Sequence, residues 1–163
     1  MRRERNSFLS LLVLSLAGIL AAAFLSHLHY TLSFGKSLTF QLCQKGCDTV
    51  NTSSYSEFYG IPIASYGALV YSEMFIASFF GLLLAGTALS SYLFFLIFLT
   101  AAASLAASFV LAAISIFKLS SFCNLCGFTY LINFLLVLIS GAALKRAPSI
   151  KAKTTGATEV YSQ

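Results

Sequence analysis

Three long stretches of the chain contain no Asp, Glu, Lys or Arg, and this pattern predicts its main elements. They run from Asn6 to Gly35, from Met74 to Phe117 and from Leu119 to Leu144. A helix needs about 20 mainly apolar residues to cross a bilayer. The first and third stretches can hold one span each, and the middle stretch, extended back to Pro62, can hold two. Four transmembrane helices are therefore predicted, over residues 8–28, 62–85, 91–117 and 122–144.

The composition agrees with a membrane protein. Soluble domains carry about 25% charged residues, whereas this chain of 163 residues has 9%, and 58% of it is hydrophobic. A soluble fold of this length could not bury so much apolar surface.

The basic N-terminus followed by an apolar run also resembles a signal peptide, with Ala21–Ala23 as a cleavage site. The run from Phe8 to Leu28 is long for a signal, so it is predicted to stay as the first span.

Basic residues set the predicted orientation, because they concentrate on the cytoplasmic side of a membrane. Seven flank the two chain ends: Arg2, Arg3, Arg5, Lys145, Arg146, Lys151 and Lys153. Three fall between spans on the other side: Lys36, Lys45 and Lys118. Both termini are therefore predicted to be cytoplasmic. The net charge of +5 is a topology signal, and it does not indicate nucleic-acid binding.

The predicted fold is an all-α integral membrane protein, with one four-helix bundle over residues 1–146. A polar segment, residues 31–61, connects the first two helices on the exterior side. The short uncharged hairpin at residues 86–91 makes the second and third helices antiparallel neighbours. Residues 147–163 are polar and contain Pro, Gly and Thr, so they are predicted to be a disordered cytoplasmic tail.

All four cysteines fall on the predicted exterior face, which is the oxidising side of the membrane. Cys43 and Cys47 lie in the polar segment, and Cys123 and Cys126 lie where the fourth helix begins. A spacing of three residues places Cys123 and Cys126 on one face of the helix. The unpaired N–H groups of the first helical turn would stabilise a thiolate there.

Three interpretations of these cysteines are open. They could form structural disulfides, they could hold zinc in a four-cysteine site, or they could be two redox pairs that exchange disulfides. Exchange needs a thiolate that can reach a disulfide. A loop pair beside a pair at the membrane surface meets this need, so the redox interpretation is favoured and no metal is predicted.

A longer pattern extends beyond the cysteines. It comprises Cys43, Cys47-Asp48-Thr49-Val50 and Ser53, then Gly60-Ile61-Pro62, Gly67 and Tyr71, and finally Cys123-x-x-Cys126, Tyr130 and Asn133. This pattern resembles vitamin K epoxide reductase homologues of the prokaryotic type, over roughly residues 8–144. The chain ends at Gln163 without the thioredoxin-like domain that some relatives carry as a fusion, so a separate partner is expected.

The resemblance implies a quinone-dependent thiol–disulfide oxidoreductase that generates disulfides. A thioredoxin-like partner would pass electrons to Cys43, and Cys47 would exchange with Cys123. Cys126 would then reduce a quinone of the ubiquinone, menaquinone or vitamin K type. The implied location is a bacterial or archaeal cytoplasmic membrane.

The resemblance also implies a quinone pocket, with Ser53, Ile63, Tyr130 and Asn133 as its candidate residues. Ile63 stands where vertebrate relatives carry an asparagine, so quinone reduction is expected rather than epoxide reduction. Independently of the family, Ser53 could be a loop cap and Tyr130 an interfacial anchor.

Two other functions remain open. One is a DsbB-like quinone-linked disulfide generator, in which the C-x-x-C pair would be expected in the first exterior loop instead of the second. The other is a non-enzymatic membrane scaffold or transporter with structural disulfides.

Some polar residues near or inside the spans need a separate interpretation. Glu73 lies about 16 Å along the second span from Pro62, where a carboxyl group is costly and often functional. It could carry protons for quinone reduction, or be neutral and hydrogen-bonded to a neighbouring helix. His27 and His29 are expected at the membrane interface, and Asn51-Thr52-Ser53 matches a glycosylation sequon.

Overall fold

Four long helices dominate the computed structural model, which describes residues 2–34, 45–121 and 123–146. The elements in chain order are α1 (Arg2–Ser33), α2 (Lys45–Asn51), β1 (Glu57–Phe58), β2 (Ile61–Pro62), α3 (Ile63–Leu83), α4 (Ala88–Phe117) and α5 (Asn124–Arg146). Within the described ranges, α1, α3, α4 and α5 are long and apolar enough to cross a membrane. The predicted all-α four-helix membrane bundle is confirmed. Cys43 and the predicted tail, residues 147–163, lie outside the described residues.

The helix ends differ from the predicted spans most at the first helix. The first helix was predicted over residues 8–28, but α1 runs from Arg2 to Ser33. Hydropathy marks the part of a helix that matches the bilayer core, whereas the helix itself continues until its backbone pattern is broken. At the start of α3 the two agree closely, because Pro62 occupies the N-cap position and cannot donate a hydrogen bond in a preceding helical turn.

The segment predicted as a polar loop contains regular structure. The seven-residue helix α2 occupies Lys45–Asn51, and β1 and β2 form a small antiparallel hairpin that pairs Glu57 with Pro62. We call the end of the bundle that carries α2 and this hairpin the cysteine end. There α1 ends, α3 begins, α4 ends and α5 begins.

Aromatic packing closes the opposite end of the bundle. The rings of Phe8 on α1 and Phe94 on α4 stack with centroids 3.9 Å apart and planes 10° from parallel. Both side chains are fully buried. Gly81 on α3 leaves room for them, since a Cβ atom there would overlap the Phe8 ring.

A second close approach lies nearer the cysteine end. Gly18 on α1 faces the ring of Tyr71 on α3, and a Cβ atom at Gly18 would lie 2.5 Å from Tyr71 Cδ1. Tyr71 is 5% exposed, so the ring cannot move aside into lipid. The missing side chain at Gly18 therefore lets α1 and α3 pack closely and fixes the position of Tyr71.

Gly18→Ala should destabilise the bundle, because the added methyl group overlaps a buried ring and overpacking costs about 1–3 kcal/mol. The matched control is Gly67→Ala, whose new Cβ would meet only Ala22 Cβ at 3.9 Å. Thermal unfolding of the purified proteins in one detergent measures both. A melting temperature for Gly18→Ala equal to that of Gly67→Ala would contradict this packing.

Candidate functional site: two cysteines in contact beside a cavity

Two cysteine sulfurs meet at the cysteine end of the bundle. Cys47 on α2 and Cys123, one residue before α5, have their Sγ atoms 3.0 Å apart, and each residue is 2% exposed. They pack with Leu25 of α1 in a small apolar cluster. A disulfide bond is about 2.05 Å long, so a shift of about 1 Å would bring these sulfurs to bonding distance.

Cys123 and Cys126 have different surroundings although they are three residues apart. Cys126 lies in the first turn of α5, and its backbone N–H donates a hydrogen bond to Cys123 Sγ, 3.3 Å away. Cys126 also lines the large cavity described below, whereas Cys123 does not. Cys123 therefore contacts Cys47, whereas Cys126 lines the cavity.

The acidity of Cys123 differs from the expectation of a thiolate at the helix start. The hydrogen bond with the Cys126 side chain, together with burial, raises the pKa of the Cys123 thiol well above its ordinary value. The contacts with Cys47 and with the Cys126 N–H act in the other direction and are outweighed. The sequence indicated the helix start, but it could not show that the Cys123 thiol is buried against the thiol of Cys47.

A cavity of about 280 Å³ lies between the four long helices at the cysteine end. Its walls are largely apolar, with Leu25 on α1, Val70 on α3, and Leu111 and Ile114 on α4. The segment that follows α2 covers it. The cavity brings together every described residue that was a candidate for the quinone pocket, with Cys126: Ser53, Ile63, Tyr130 and Asn133.

The hydroxyl groups of this cavity differ in whether they are already engaged. Ser53 Oγ donates to the carbonyl of Val50 at 2.8 Å, and Tyr66 Oη donates to the carbonyl of Phe58 at 3.3 Å. Among the described residues, none hydrogen-bonds to the Tyr130 hydroxyl. Tyr130 therefore has a donor available to a molecule in the cavity, whereas Ser53 acts as a turn cap.

Part of the cavity wall is a buried polar network. Tyr71 Oη donates to Asn133 Oδ1 at 2.8 Å, and Asn133 Nδ2 donates to Ser108 Oγ at 2.9 Å. Ser108 Oγ in turn donates to the carbonyl of Ser104. The network links α3, α5 and α4, and it holds Asn133 in a fixed orientation.

The comparison with known families agrees with this geometry. The sequence model of the vitamin K epoxide reductase family matches residues 9–140, which is most of the chain. The chain belongs to the vitamin K epoxide reductase family. It is an integral membrane thiol–disulfide oxidoreductase, so the scaffold and transporter alternatives no longer stand. A search of curated proteins found no significant match.

The buried contacts of His29 were not predicted from the sequence. His29 was expected at the membrane interface together with His27, but only His27 is exposed. His29 is 4% exposed and hydrogen-bonds to Asn51 of α2 and Glu57 of β1. Asn51 itself is 8% exposed and belongs to this contact. The signal in the sequence that could have indicated these contacts was a histidine just inside the end of an apolar helix.

Glu73 lies away from the cavity. It is an exposed residue on the outer face of α3, in a groove shared with apolar residues of α4 such as Leu93 and Leu96. This position does not support the proton-carrying role considered for it. The helical period explains why Glu73 does not reach the cavity: it lies two residues after Tyr71, on the opposite side of α3.

The raised pKa of Cys123 gives a pH-dependent prediction. In the reduced protein, Cys126→Ala removes the largest cause of that rise, so Cys123 should react with iodoacetamide at lower pH. Cys47→Ala removes a contact that lowers the pKa and should shift the reactivity to higher pH. Mass spectrometry of the Cys123 peptide over a pH series measures both shifts, and shifts in the same direction would contradict the assignment.

Proposed function

We propose that this protein generates disulfides by passing electrons from a thioredoxin-like partner to a membrane quinone. The electrons would enter at Cys43, pass through Cys47 to the Cys123/Cys126 pair and leave at the cavity. The observation that carries the proposal is the division of that pair, since Cys123 contacts Cys47 and Cys126 lines the cavity. One side of the pair can exchange with a thiol while the other can meet an electron acceptor.

The exchange between the pairs consists of two displacements. The Cys47 thiolate attacks Cys123 in the Cys123–Cys126 disulfide, so a Cys47–Cys123 bond forms and Cys126 leaves as a thiolate. Cys43 then attacks Cys47 and forms the Cys43–Cys47 disulfide, which releases Cys123. Two electrons have moved to the Cys123/Cys126 pair, and the partner dithiol reduces the Cys43–Cys47 disulfide for another cycle.

The cavity fits a quinone head group in its chemistry. Its apolar walls suit a flat ring, and small-molecule sites combine such walls with a few polar groups. The Tyr130 hydroxyl would donate to a quinone carbonyl, and Asn133 would be held in orientation by Tyr71 and Ser108. A bound quinone would accept the two electrons and two protons that the dithiol releases when its disulfide forms. Members of this family use quinones in general.

Two features support the finer assignments of substrate and orientation. Ile63 lines the cavity, and its side chain offers no hydrogen-bond donor to an epoxide oxygen, which favours quinone reduction. Lys145 and Arg146 end α5 at the same end of the bundle as Arg2 and Arg3 of α1. These basic residues favour cytoplasmic termini and an exterior cysteine end, in a bacterial or archaeal cytoplasmic membrane.

Cys126→Ala should abolish quinone reduction, because the sulfur that lines the cavity is lost. The test uses the purified protein with a reduced thioredoxin-like protein and a short-chain quinone, and follows quinol formation by absorbance. Mixed disulfides between Cys43 and the partner should still form and appear on non-reducing gels. Quinol formation at the wild-type rate in Cys126→Ala would overturn the proposal.

Tyr130→Phe should weaken quinone binding, because it removes an available donor. Loss of one hydrogen bond of about 1 kcal/mol corresponds to a KM for quinone roughly 5-fold higher. The matched control is Tyr66→Phe, which removes a hydroxyl from the same cavity that is already bonded to Phe58. Equal KM values for the two variants would exclude the proposed role of Tyr130.

A further inference from the structure

His29 connects three elements at the cysteine end of the bundle. It lies near the end of α1, and its Nδ1 is 2.6 Å from the backbone carbonyl oxygen of Asn51 on α2. Its Nε2 is 3.0 Å from Glu57 Oε1 on β1. The His29 side chain is 5% exposed and the Glu57 side chain 45%, so the pair extends from the bundle interior to the surface.

The hydrogen-bonding partners determine where the protons lie. A carbonyl oxygen can only accept, so His29 Nδ1 must carry a hydrogen to bond Asn51. In the neutral ring, Nε2 would then be an acceptor facing a carboxylate, which also only accepts. The 3.0 Å contact therefore needs one proton between Nε2 and Oε1, as an imidazolium with a carboxylate or as a neutral ring with a carboxylic acid.

The contact between His29 and the Asn51 carbonyl fixes the end of α2. Asn51 is the last residue of α2, about one helical turn after Cys47. Its side-chain Nδ2 also donates to the carbonyl of Leu25 on α1, at 3.1 Å. A helix of seven residues is not stable by itself in water, so its place depends on such contacts. Holding Asn51 against α1 holds Cys47 beside Cys123.

We propose that His29 is a positioning residue for disulfide exchange: its contacts with Asn51 and Glu57 hold the end of α2 against α1, and so hold Cys47 beside Cys123. The inference rests on the proposed function, in which Cys47 and Cys123 exchange disulfides. Within the described part of the chain, the titratable groups in contact with His29 are Glu57 and Tyr30, whose ring lies edge-on at 5.8 Å.

The test measures proximity of the sulfurs without a quinone or a partner protein. In the full chain with Cys43→Ala and Cys126→Ala, diamide oxidises the thiols of Cys47 and Cys123 to one disulfide and is itself reduced to the hydrazine. Mass spectrometry follows this disulfide over time. His29→Phe keeps a ring but removes both nitrogen contacts, and should slow its formation about tenfold.

Three further variants separate positioning from folding. His27→Phe is the matched control, because His27 is exposed two residues earlier on α1, and it should leave the rate unchanged. In Glu57→Gln, the amide N–H can donate to Nε2, so the contact with His29 is kept and the rate should be retained. Glu57→Ala removes that contact and should slow disulfide formation.

The outcomes are distinct for the two proposals. Equal rates for His29→Phe and His27→Phe, or equal rates for Glu57→Ala and Glu57→Gln, would overturn the positioning role. Slow disulfide formation in His29→Phe and Glu57→Ala, with the rate retained in Glu57→Gln, would support it. If these results hold while the wild-type protein fails to reduce quinone, the proposed function fails and the positioning role stands.

Discussion

The contact between Cys47 and Cys123 is the constraint on which the rest of the site depends. Two sulfurs 3.0 Å apart must be able to bond and to separate again if they exchange disulfides. The long helices hold Cys123 in place, since it directly precedes α5. Cys47 lies on a helix of seven residues that is held by side-chain contacts at its end. Because Cys123 is held rigidly and Cys47 is held only by these contacts, the two sulfurs can meet and separate again.

A single turn of α5 separates the two chemical environments of the site. Cys123 lies before the first helical residue, buried against Cys47, and Cys126 lies three residues later on the cavity wall. The backbone N–H of Cys126 bonds to Cys123 Sγ, which keeps the two residues in register. In the proposed function, electrons would cross from a thiol environment to an apolar cavity over the width of one helical turn.

The sequence was sufficient for the bundle and for much of the cavity, but insufficient for the contacts that hold the loop. The charge-free stretches predicted four helices because lipid excludes charged side chains over a fixed thickness. The family resemblance supplied Ser53, Ile63, Tyr130 and Asn133, which line one cavity. α2 was missed, because a short helix in a polar segment has no apolar period. His29 was missed for a different reason: its contacts with Asn51 and Glu57 join residues more than 20 positions apart.

The polar groups of the bundle interior show how the cavity could discriminate between ligands. Buried polar atoms in lipid are costly unless they are hydrogen-bonded. Tyr71, Asn133 and Ser108 satisfy one another across three helices, and Gly18 holds the Tyr71 ring in place. The engaged hydroxyls of Ser53 and Tyr66 leave Tyr130 with a donor that the described protein does not use. A ligand with an acceptor that reaches Tyr130 gains a hydrogen bond, whereas a hydrocarbon of the same size leaves that donor unpaired. Selection for a carbonyl-bearing ring would then come in part from the Tyr130 hydroxyl, which lies in the same wall as Cys126.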